Sequence, residues 1–174
     1  AKLQDDFAGA QKEQPALKKS LRPLIEAQSA RIVGEIREFE GNVETHKGEF
    51  EQESIFFYET GCEAAYERMD AMHVDLTDIE KQTANLLELA TLFEFPDVVS
   101  KITEMVHSMR KDLIITKTLW DLTNVVTTTL DEWQGTLWND INTGMMEEES
   151  KMMAKAIKGL DKRLRSFDAF NGIE

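Results

Sequence analysis

The stretch AYERMDAMHVDLTDIEKQTANLLELA, residues 65–90, carries the most regular pattern in the sequence. Its apolar and small residues alternate at spacings of four and three, namely Ala65, Met69, Met72, Leu76, Ile79, Thr83, Leu86 and Ala90. This spacing places all of them along one side of an α-helix, and such a seam is buried by packing against another helix. The stretch therefore predicts an all-α fold in which helices pack side by side.

Similar stripes lie on both sides of this helix. An upstream stripe follows Pro23, which suits the first turn of a helix, and consists of Ile25, Ile32, Ile36, Phe39, Val43 and Phe50. A downstream seam consists of Val99, Ile102, Val106, Met109, Leu113, Thr116, Trp120, Thr123, Thr127 and Leu130. The last predicted helix has acidic Glu147, Glu148 and Glu149 in its first turn and a buried face of Met146, Met153, Ile157, Leu160, Leu164 and Phe167.

Three breaks divide these stripes. Gly61, the Phe95-Pro96 pair and Gly135 each interrupt a helical pattern. We predict an elongated antiparallel bundle, or bundles, of about four to six helices. Gly34, Gly41 and Gly48 recur on the first long helix, off its apolar stripe. They indicate either close approach of another backbone or a pliable face turned to solvent.

The net charge of −13 limits the partners of this chain. Binding to phosphate groups requires clustered lysine and arginine, so we expect neither nucleic acid nor a membrane as a partner. Charge is nevertheless uneven, because six bases and only Asp161 as an acid lie between Lys151 and Arg165. This run is either a solvated helix face or a docking patch.

Residues with catalytic or metal-binding chemistry are sparse. His46, His73 and His107 lie far apart, whereas zinc sites usually have two ligands within a few residues. Cys62 is the single cysteine, and no glycine-rich loop is followed by Gly-Lys-Ser/Thr. We therefore expect no catalysis, metal or cofactor in this chain. The single cysteine and the absence of a glycosylation motif also favour an intracellular protein.

All three tryptophans, Trp120, Trp133 and Trp138, lie between residues 116 and 138. We predict that the chain changes direction near residues 131–144 and that Trp133 and Trp138 pin this corner, because buried rings resist sliding of packed helices. Ordinary core packing without a mechanical role is the alternative. The heptads equally suit a spectrin-like repeat or another coiled-coil adaptor, and a helical cofactor or metal enzyme is disfavoured by the missing ligands.

The second half of the chain resembles a known family. The segment LLELATLFEFPDVVSKITEMVHSMRKDLIITKTLWDLTNVV, followed by LDEWQGTLWNDI and MMAKAIKGLDKRLRSFDAFNGIE, is similar in order and spacing to the dynein heavy chain where its tail runs into the linker. The Leu119-Trp120-Asp121 form resembles the axonemal type. The packing residues that this resemblance implies are Phe93, Leu119, Trp120, Trp133, Trp138, Leu160, Leu164 and Phe167.

The resemblance implies a division of the chain and a role for it. Residues 1–84 would end the helical tail, and residues 85–174 would form the N-terminal linker region. The linker is a lever that lies across an AAA+ ring, so this chain would be a non-catalytic segment that joins tail to lever. ATP and magnesium would bind in the parent's ring, and microtubules would be contacted only through the parent.

The resemblance also implies a setting. The partners would be the rest of the heavy chain, other dynein subunits or neighbouring heavy chains. The location would be the cytoskeleton, in the axoneme of a cilium or flagellum. Because the chain opens at Ala1 and not at a methionine, we expect it to be a piece of a longer protein.

Overall fold

The fold is all-α, as the sequence predicts. We describe a computed structural model, in which the backbone is described for residues 2–173 and the side chains for residues 19–173. In these residues the chain forms five α-helices and no strand: α1 (Lys2–Phe50), α2 (Cys62–Leu92), α3 (Ser100–Gly135), α4 (Thr143–Gly159) and α5 (Asp168–Asn171). Short 3-10 segments, Ser54–Phe56, Tyr58–Thr60, Pro96–Val99, Trp138–Asp140 and Lys162–Ser166, fill the connections.

Helices α2 and α3 form the centre of the bundle and run antiparallel. Near one end Tyr66 Oη donates a hydrogen bond to Asp121 Oδ1 at 2.9 Å, and further along Arg110 donates to both carboxylate oxygens of Glu80 at 2.7 Å. The seam of α2 faces this partner, as predicted, because most of its members are buried and Ile79 and Leu86 are half-buried. The seam of α3 is buried from Val99 to Thr123.

The predicted seam of α3 extends too far. Leu130 is 42% exposed, so its assignment to the seam is wrong. The core cluster reaches only as far along α3 as Trp120, and Thr123 is the last residue of the helix that is buried. The final turns of α3 therefore extend beyond the three-helix core, where they contact α4 and, through Thr127, Cys62 at the start of α2.

Helix α1 contributes its second half to the core. Ile32, Ile36, Val43 and Phe50 are buried as predicted, and Lys101 of α3 forms ion pairs with two glutamates of α1. The prediction is wrong for Ile25, which is 52% exposed because no neighbouring helix covers this part of α1. Pro23 is also not in a first turn, since α1 begins at Lys2.

The predicted breaks are confirmed. Gly61 has a φ of 74°, a left-handed backbone conformation that favours glycine, and α2 begins at the next residue. At the other end of α2, the Phe95 N–H donates to Ala90 O and the Glu94 N–H to Thr91 O, the pair of bonds that defines a Schellman motif. Glu94 takes the left-handed position there, with a φ of 66°.

The chain reverses at the corner between α3 and α4, as predicted for residues 131–144. Helix α3 ends at Gly135, and the Asn142 side chain caps α4 by accepting a hydrogen bond from the Met145 N–H at 3.2 Å. Trp133 contacts Glu149, and Leu122 and Val125 lie across from Met153. Helix α4 therefore runs back along α3.

The last predicted helix is in fact three elements. Helix α4 ends at Gly159, after which Leu164 lies in a 3-10 segment and Phe170 in the short α5. The acidic residues Glu147–Glu149 lie beyond the first turn, because α4 begins at Thr143. The face predicted for burial is still turned inward, since Met146, Met153, Ile157, Leu160 and Phe167 are half-buried and Leu164 is buried.

Gly34, Gly41 and Gly48 of α1 face open space. A Cβ atom added at Gly34, Gly41 or Gly48 would meet nothing within 4 Å, so no other backbone approaches them in the described part of the chain. Among the described residues, this favours the interpretation of their seven-residue repeat as a pliable face turned to solvent. The predicted division at residues 84 and 85 falls inside α2 and stays a prediction.

Candidate functional site

Trp120 is the centre of the site and joins α3 to the connector between α1 and α2. Its side chain is 1% exposed, and its indole Nε1–H donates a hydrogen bond to the Ile55 carbonyl at 2.8 Å. Ile55 is itself fully buried. The ring therefore combines a large buried apolar area with one directed polar contact, which together fix both the depth and the orientation of α3 at this point.

Phenylalanine rings extend this contact to the end of α1 and to the C-terminal segment (residues 160–173). Phe50, the last residue of α1, meets Phe56 edge-on with ring centroids 5.6 Å apart. Phe56 in turn meets Phe167 with centroids 4.5 Å apart. We call Phe50, Ile55, Phe56, Trp120 and Phe167 the junction. It connects the end of α1, the connector, the middle of α3 and the C-terminal segment.

The C-terminal segment is held against the connector by two further contacts. The Tyr58 backbone N–H donates to Asp168 Oδ2 at 3.1 Å. Gly172 lies directly against the Tyr58 ring, because a Cβ added at Gly172 would come within 2.1 Å of the ring atom Cγ. Only a residue without a side chain fits this approach, so glycine is a steric requirement at position 172.

An ion pair ties the same segment to α3. Arg163 Nη1 lies 2.7 Å from Asp112 Oδ1, and Leu164 next to it is fully buried. Burial raises the pKa of Asp112, and the Arg163 charge opposes this effect. The segment is therefore anchored to two elements, the connector through Tyr58 and α3 through Asp112.

The connector is also fixed to α2. Arg68 donates to both carboxylate oxygens of Glu53, and the Nε–Oε2 distance is 2.8 Å. This hydrogen bond with Arg68 lowers the pKa of Glu53 below its usual value of 4.5. Residues 51–60 thus contact α2, α3 and the C-terminal segment, although they form little regular structure.

Glu53→Gln tests the Glu53–Arg68 pair. Because the pKa of Glu53 is lowered by folding, the pair stabilises the fold at pH values above 4.5, and this contribution is lost as the pH falls through the lowered value. Both side chains are partly exposed, so we expect a loss of no more than about 1 kcal/mol near pH 7. Urea unfolding at several pH values should show this difference closing in acid. Glu59→Gln, in the same connector, is the control, and a difference that persisted in strong acid would contradict the assignment.

The structure separates the three tryptophans. Trp120 is buried, Trp133 is half-buried and donates to Glu149 Oε2 at 3.2 Å, and Trp138 is 87% exposed. The prediction that Trp138 pins the corner by packing is wrong for this chain, because its ring lies in the 3-10 turn outside both helices. Trp133 lies at the corner between α3 and α4 and outside the main core cluster.

The other residues implied by the resemblance have different surroundings. Leu119 and Leu164 are fully buried, and Phe167 is a member of the junction. Leu160 is half-buried against the core. Phe93 is also half-buried at the break after α2, where its ring centroid lies 6.2 Å from that of Phe95. The structure thus brings Trp120, Leu164 and Phe167 into one region and leaves Phe93 at the opposite end of α2.

Sequence reasoning missed Ile55 and Phe56. Both are buried, but they lie in a short 3-10 segment without helical periodicity. The run Ile55-Phe56-Phe57-Tyr58, between glutamates at 53 and 59, was the available signal. An apolar run of this kind in a connector indicates a segment that folds back onto the core.

Two features are absent from the residues that the structure describes. There is no group of three His, Cys, Asp or Glu side chains that could hold a metal ion, and no helix is long and apolar enough to cross a membrane. A groove of about 550 Å³ lies between α2 and α3. Its Arg110 is engaged by Glu80, Thr77 and His73 within the chain.

Comparisons with known proteins identify the family of this chain. A family model described as "Dynein heavy chain, N-terminal region 2" matches residues 106–174. The dynein alpha chain of the flagellar outer arm of Chlamydomonas reinhardtii is 34% identical over 163 residues, which are 94% of this chain and 4% of that protein. The ciliary dynein beta chain of Tripneustes gratilla is 30% identical over 174 residues, which are 99% of this chain and 4% of that protein.

A human relative is also a dynein heavy chain. The human dynein axonemal heavy chain 9 is 36% identical over 111 residues, which are 63% of this chain and 2% of that protein. The chain belongs to the dynein heavy-chain family, in its axonemal branch. It spans only a few per cent of the length of these relatives. These matches favour the dynein resemblance over the spectrin-like alternative.

Proposed function

We propose that this chain is a non-catalytic mechanical segment of an axonemal dynein heavy chain, which connects the tail to the linker lever. It transmits force that an ATP-driven AAA+ ring generates elsewhere in the parent protein. The setting is the axoneme of a cilium or flagellum. The names of the relatives, which are flagellar, ciliary and axonemal dynein chains, support this proposal.

The junction is the observation that carries the proposal. A segment that transmits force must keep its helices from sliding, and sliding would pull Trp120 from its buried site and break its bond to Ile55. The rings of Phe50, Phe56 and Phe167 couple the end of α1 to the C-terminal segment. Tension applied to α1 therefore reaches the C-terminal segment through packed side chains and the hydrogen-bonded ring of Trp120.

The remaining parts of the proposal concern the parent protein. ATP and magnesium bind in its ring, and microtubules are contacted only through regions outside this chain. Its immediate partners are the rest of the heavy chain, other dynein subunits or neighbouring heavy chains. The described helices thus transmit force, and ATP is hydrolysed elsewhere in the parent protein.

A motility assay with a full-length heavy chain that contains this segment tests the proposal. Gly172→Ala loosens the contact between the C-terminal segment and Tyr58, and we expect ATP turnover to be retained while microtubule gliding slows. Gly41→Ala, on the open face of α1, is the matched control and should glide normally. Normal gliding by a Gly172→Ala motor, combined with destabilisation of the isolated chain, would contradict a force-transmitting role.

A further inference from the structure

A group of basic side chains near the C-terminal end of α4 has no acidic partner among the residues whose side chains are described. Lys155, Lys158, Lys162 and Arg165 are exposed, and none of them lies within salt-bridge distance of a carboxylate in the described residues. We call these four residues the cationic surface. Elsewhere in the described part, bases such as Arg68, Arg110 and Lys101 are held by glutamates.

The carboxylates beside the cationic surface are already engaged. Glu147 pairs with Lys151 at 2.6 Å, and Asp112 pairs with Arg163 at 2.7 Å. Asp161 accepts a hydrogen bond from the Arg163 backbone N–H at 2.9 Å and lies 3.6 Å from its Nε. The pKa of Asp161 is lowered, first by this backbone bond and further by the charges of Arg163 and Lys111. The neighbourhood therefore keeps a surplus of positive charge in a chain whose net charge is −13.

The arrangement of the lysines is unfavourable within the chain. Lys151, Lys155 and Lys158 follow one another at spacings of four and three residues, so like charges lie on one face of α4 and repel each other. A helix dipole favours bases in the last turn, but Lys158 alone occupies the last turn of α4. Packing among the described residues gives no reason for the other members of the surface.

We propose that the cationic surface docks an acidic helix of another protein chain, with glutamates or aspartates repeated every three to four residues. The same kind of contact already exists inside this chain, where Lys101 of α3 lies 2.6 Å from Glu40 and 2.5 Å from Glu44 of α1. An acidic helix would present carboxylates at the spacing of the lysines on α4. Its contacts would relieve the repulsion between them.

An acidic helix fits this surface better than an extended polyanion does. Nucleic acid and anionic bilayers present charge over long distances, so they would also face the acidic remainder of the chain. The cationic surface contains no aromatic ring on which a base could stack. A short helix needs to cover only the four bases.

Binding of an alanine-based helical peptide to the 174-residue chain tests the proposal. The peptide carries glutamate at every third and fourth position, and a glutamine version of it is the matched probe. We expect the glutamate peptide to bind at low salt, and binding to the variant Lys155→Glu/Lys158→Glu/Lys162→Glu to be weaker by about tenfold or more. The control Lys19→Glu/Arg37→Glu/Lys81→Glu has the same change in net charge and should bind as the unaltered chain does.

The named outcomes support the proposal or overturn it. Equal loss of binding in both triple variants would show that only net charge matters and would overturn it. Tighter binding of duplex DNA or phosphatidylserine vesicles than of the glutamate peptide would replace the proposed partner. Sedimentation measures self-association of the chain. If the chain self-associates and the variant Lys155→Glu/Lys158→Glu/Lys162→Glu does not, a second copy of this chain would instead be the occupant. If the variant Lys155→Glu/Lys158→Glu/Lys162→Glu fails to fold, the variant Lys155→Gln/Lys158→Gln/Lys162→Gln replaces it. Its control is then Lys19→Gln/Arg37→Gln/Lys81→Gln, which has the same change in net charge.

Discussion

Trp120→Ala is expected to destabilise the chain by about 3 to 5 kcal/mol, because it empties a large buried site that the surrounding helices cannot refill. The change also leaves the Ile55 carbonyl without the indole donor that now lies 2.8 Å away. Folded domains are stable by only about 5 to 15 kcal/mol, so the loss is a large part of the total. Urea unfolding followed by circular dichroism measures it, and the melting temperature should fall by roughly 6 to 20 °C.

Two companion variants make this prediction specific. Trp120→Phe keeps most of the buried ring area and removes the N–H donor, so it should cost about 1 to 2 kcal/mol. Trp138→Ala removes a ring that is 87% exposed and should change the unfolding free energy by no more than about 0.5 kcal/mol. Similar losses for Trp120→Ala and Trp138→Ala would show that the burial of the two rings is wrongly assigned.

The contrast between these tryptophans shows where sequence reasoning succeeds. Trp120 continues the spacing of three and four residues that runs along α3, and a ring on such a seam is buried wherever the neighbouring helix continues beside it. Trp138 follows Trp133 by five residues and lies beyond the break at Gly135, so no helical register connects it to the seam. Whether the Trp138 ring is buried depends on its neighbours in the folded chain, which periodicity cannot reveal.

The same reason explains which parts of the fold were predictable. The seam of α2 repeats without a gap, so local sequence determines its buried face, and the breaks at Gly61 and Phe95-Pro96 follow from backbone chemistry. Ile25 has the right spacing but no neighbour, and spacing alone cannot show where a partner helix ends. A stripe predicts which face would be buried and not how far along the helix the burial extends.

The contacts that form the junction lay outside sequence reasoning, although Phe50, Trp120 and Phe167 each lie on a predicted helical stripe. Phe56 contacts Phe167, and Tyr58 bonds to Asp168, so each contact joins residues more than 100 positions apart. No local pattern encodes such a pair. Resemblance to a family singled out Trp120 and Phe167 but gave no reason to connect them to residues 51–60, which have neither a helical stripe nor a recognised motif.

Gly172→Ala is the second large effect we expect, with a loss of about 1 to 3 kcal/mol from one added methyl group. Gly172 has a φ of −72°, which alanine adopts freely, so the backbone itself does not oppose the substitution. The cost arises because the new Cβ would lie 2.1 Å from Cγ of Tyr58, the atom that attaches the ring, so turning the ring about its Cβ–Cγ bond gives no relief. Either the ring or the C-terminal segment must move, and the bond from the Tyr58 N–H to Asp168 opposes movement of the segment.

A double-mutant cycle with Tyr58→Ala isolates this clash. Removing the ring makes room for the methyl group, so Gly172→Ala should cost much less in the Tyr58→Ala background, with a coupling of at least about 1 kcal/mol. Gly41→Ala adds the same methyl group at an open position within α1 and should stabilise the chain by about 0.5 to 1 kcal/mol, because alanine favours the helix. If Gly172→Ala were equally costly with and without the Tyr58 ring, the C-terminal segment would not be held against the connector by this contact. The route from the end of α1 to the C-terminal segment would then depend on the phenylalanine rings and on the bond from the Tyr58 N–H to Asp168.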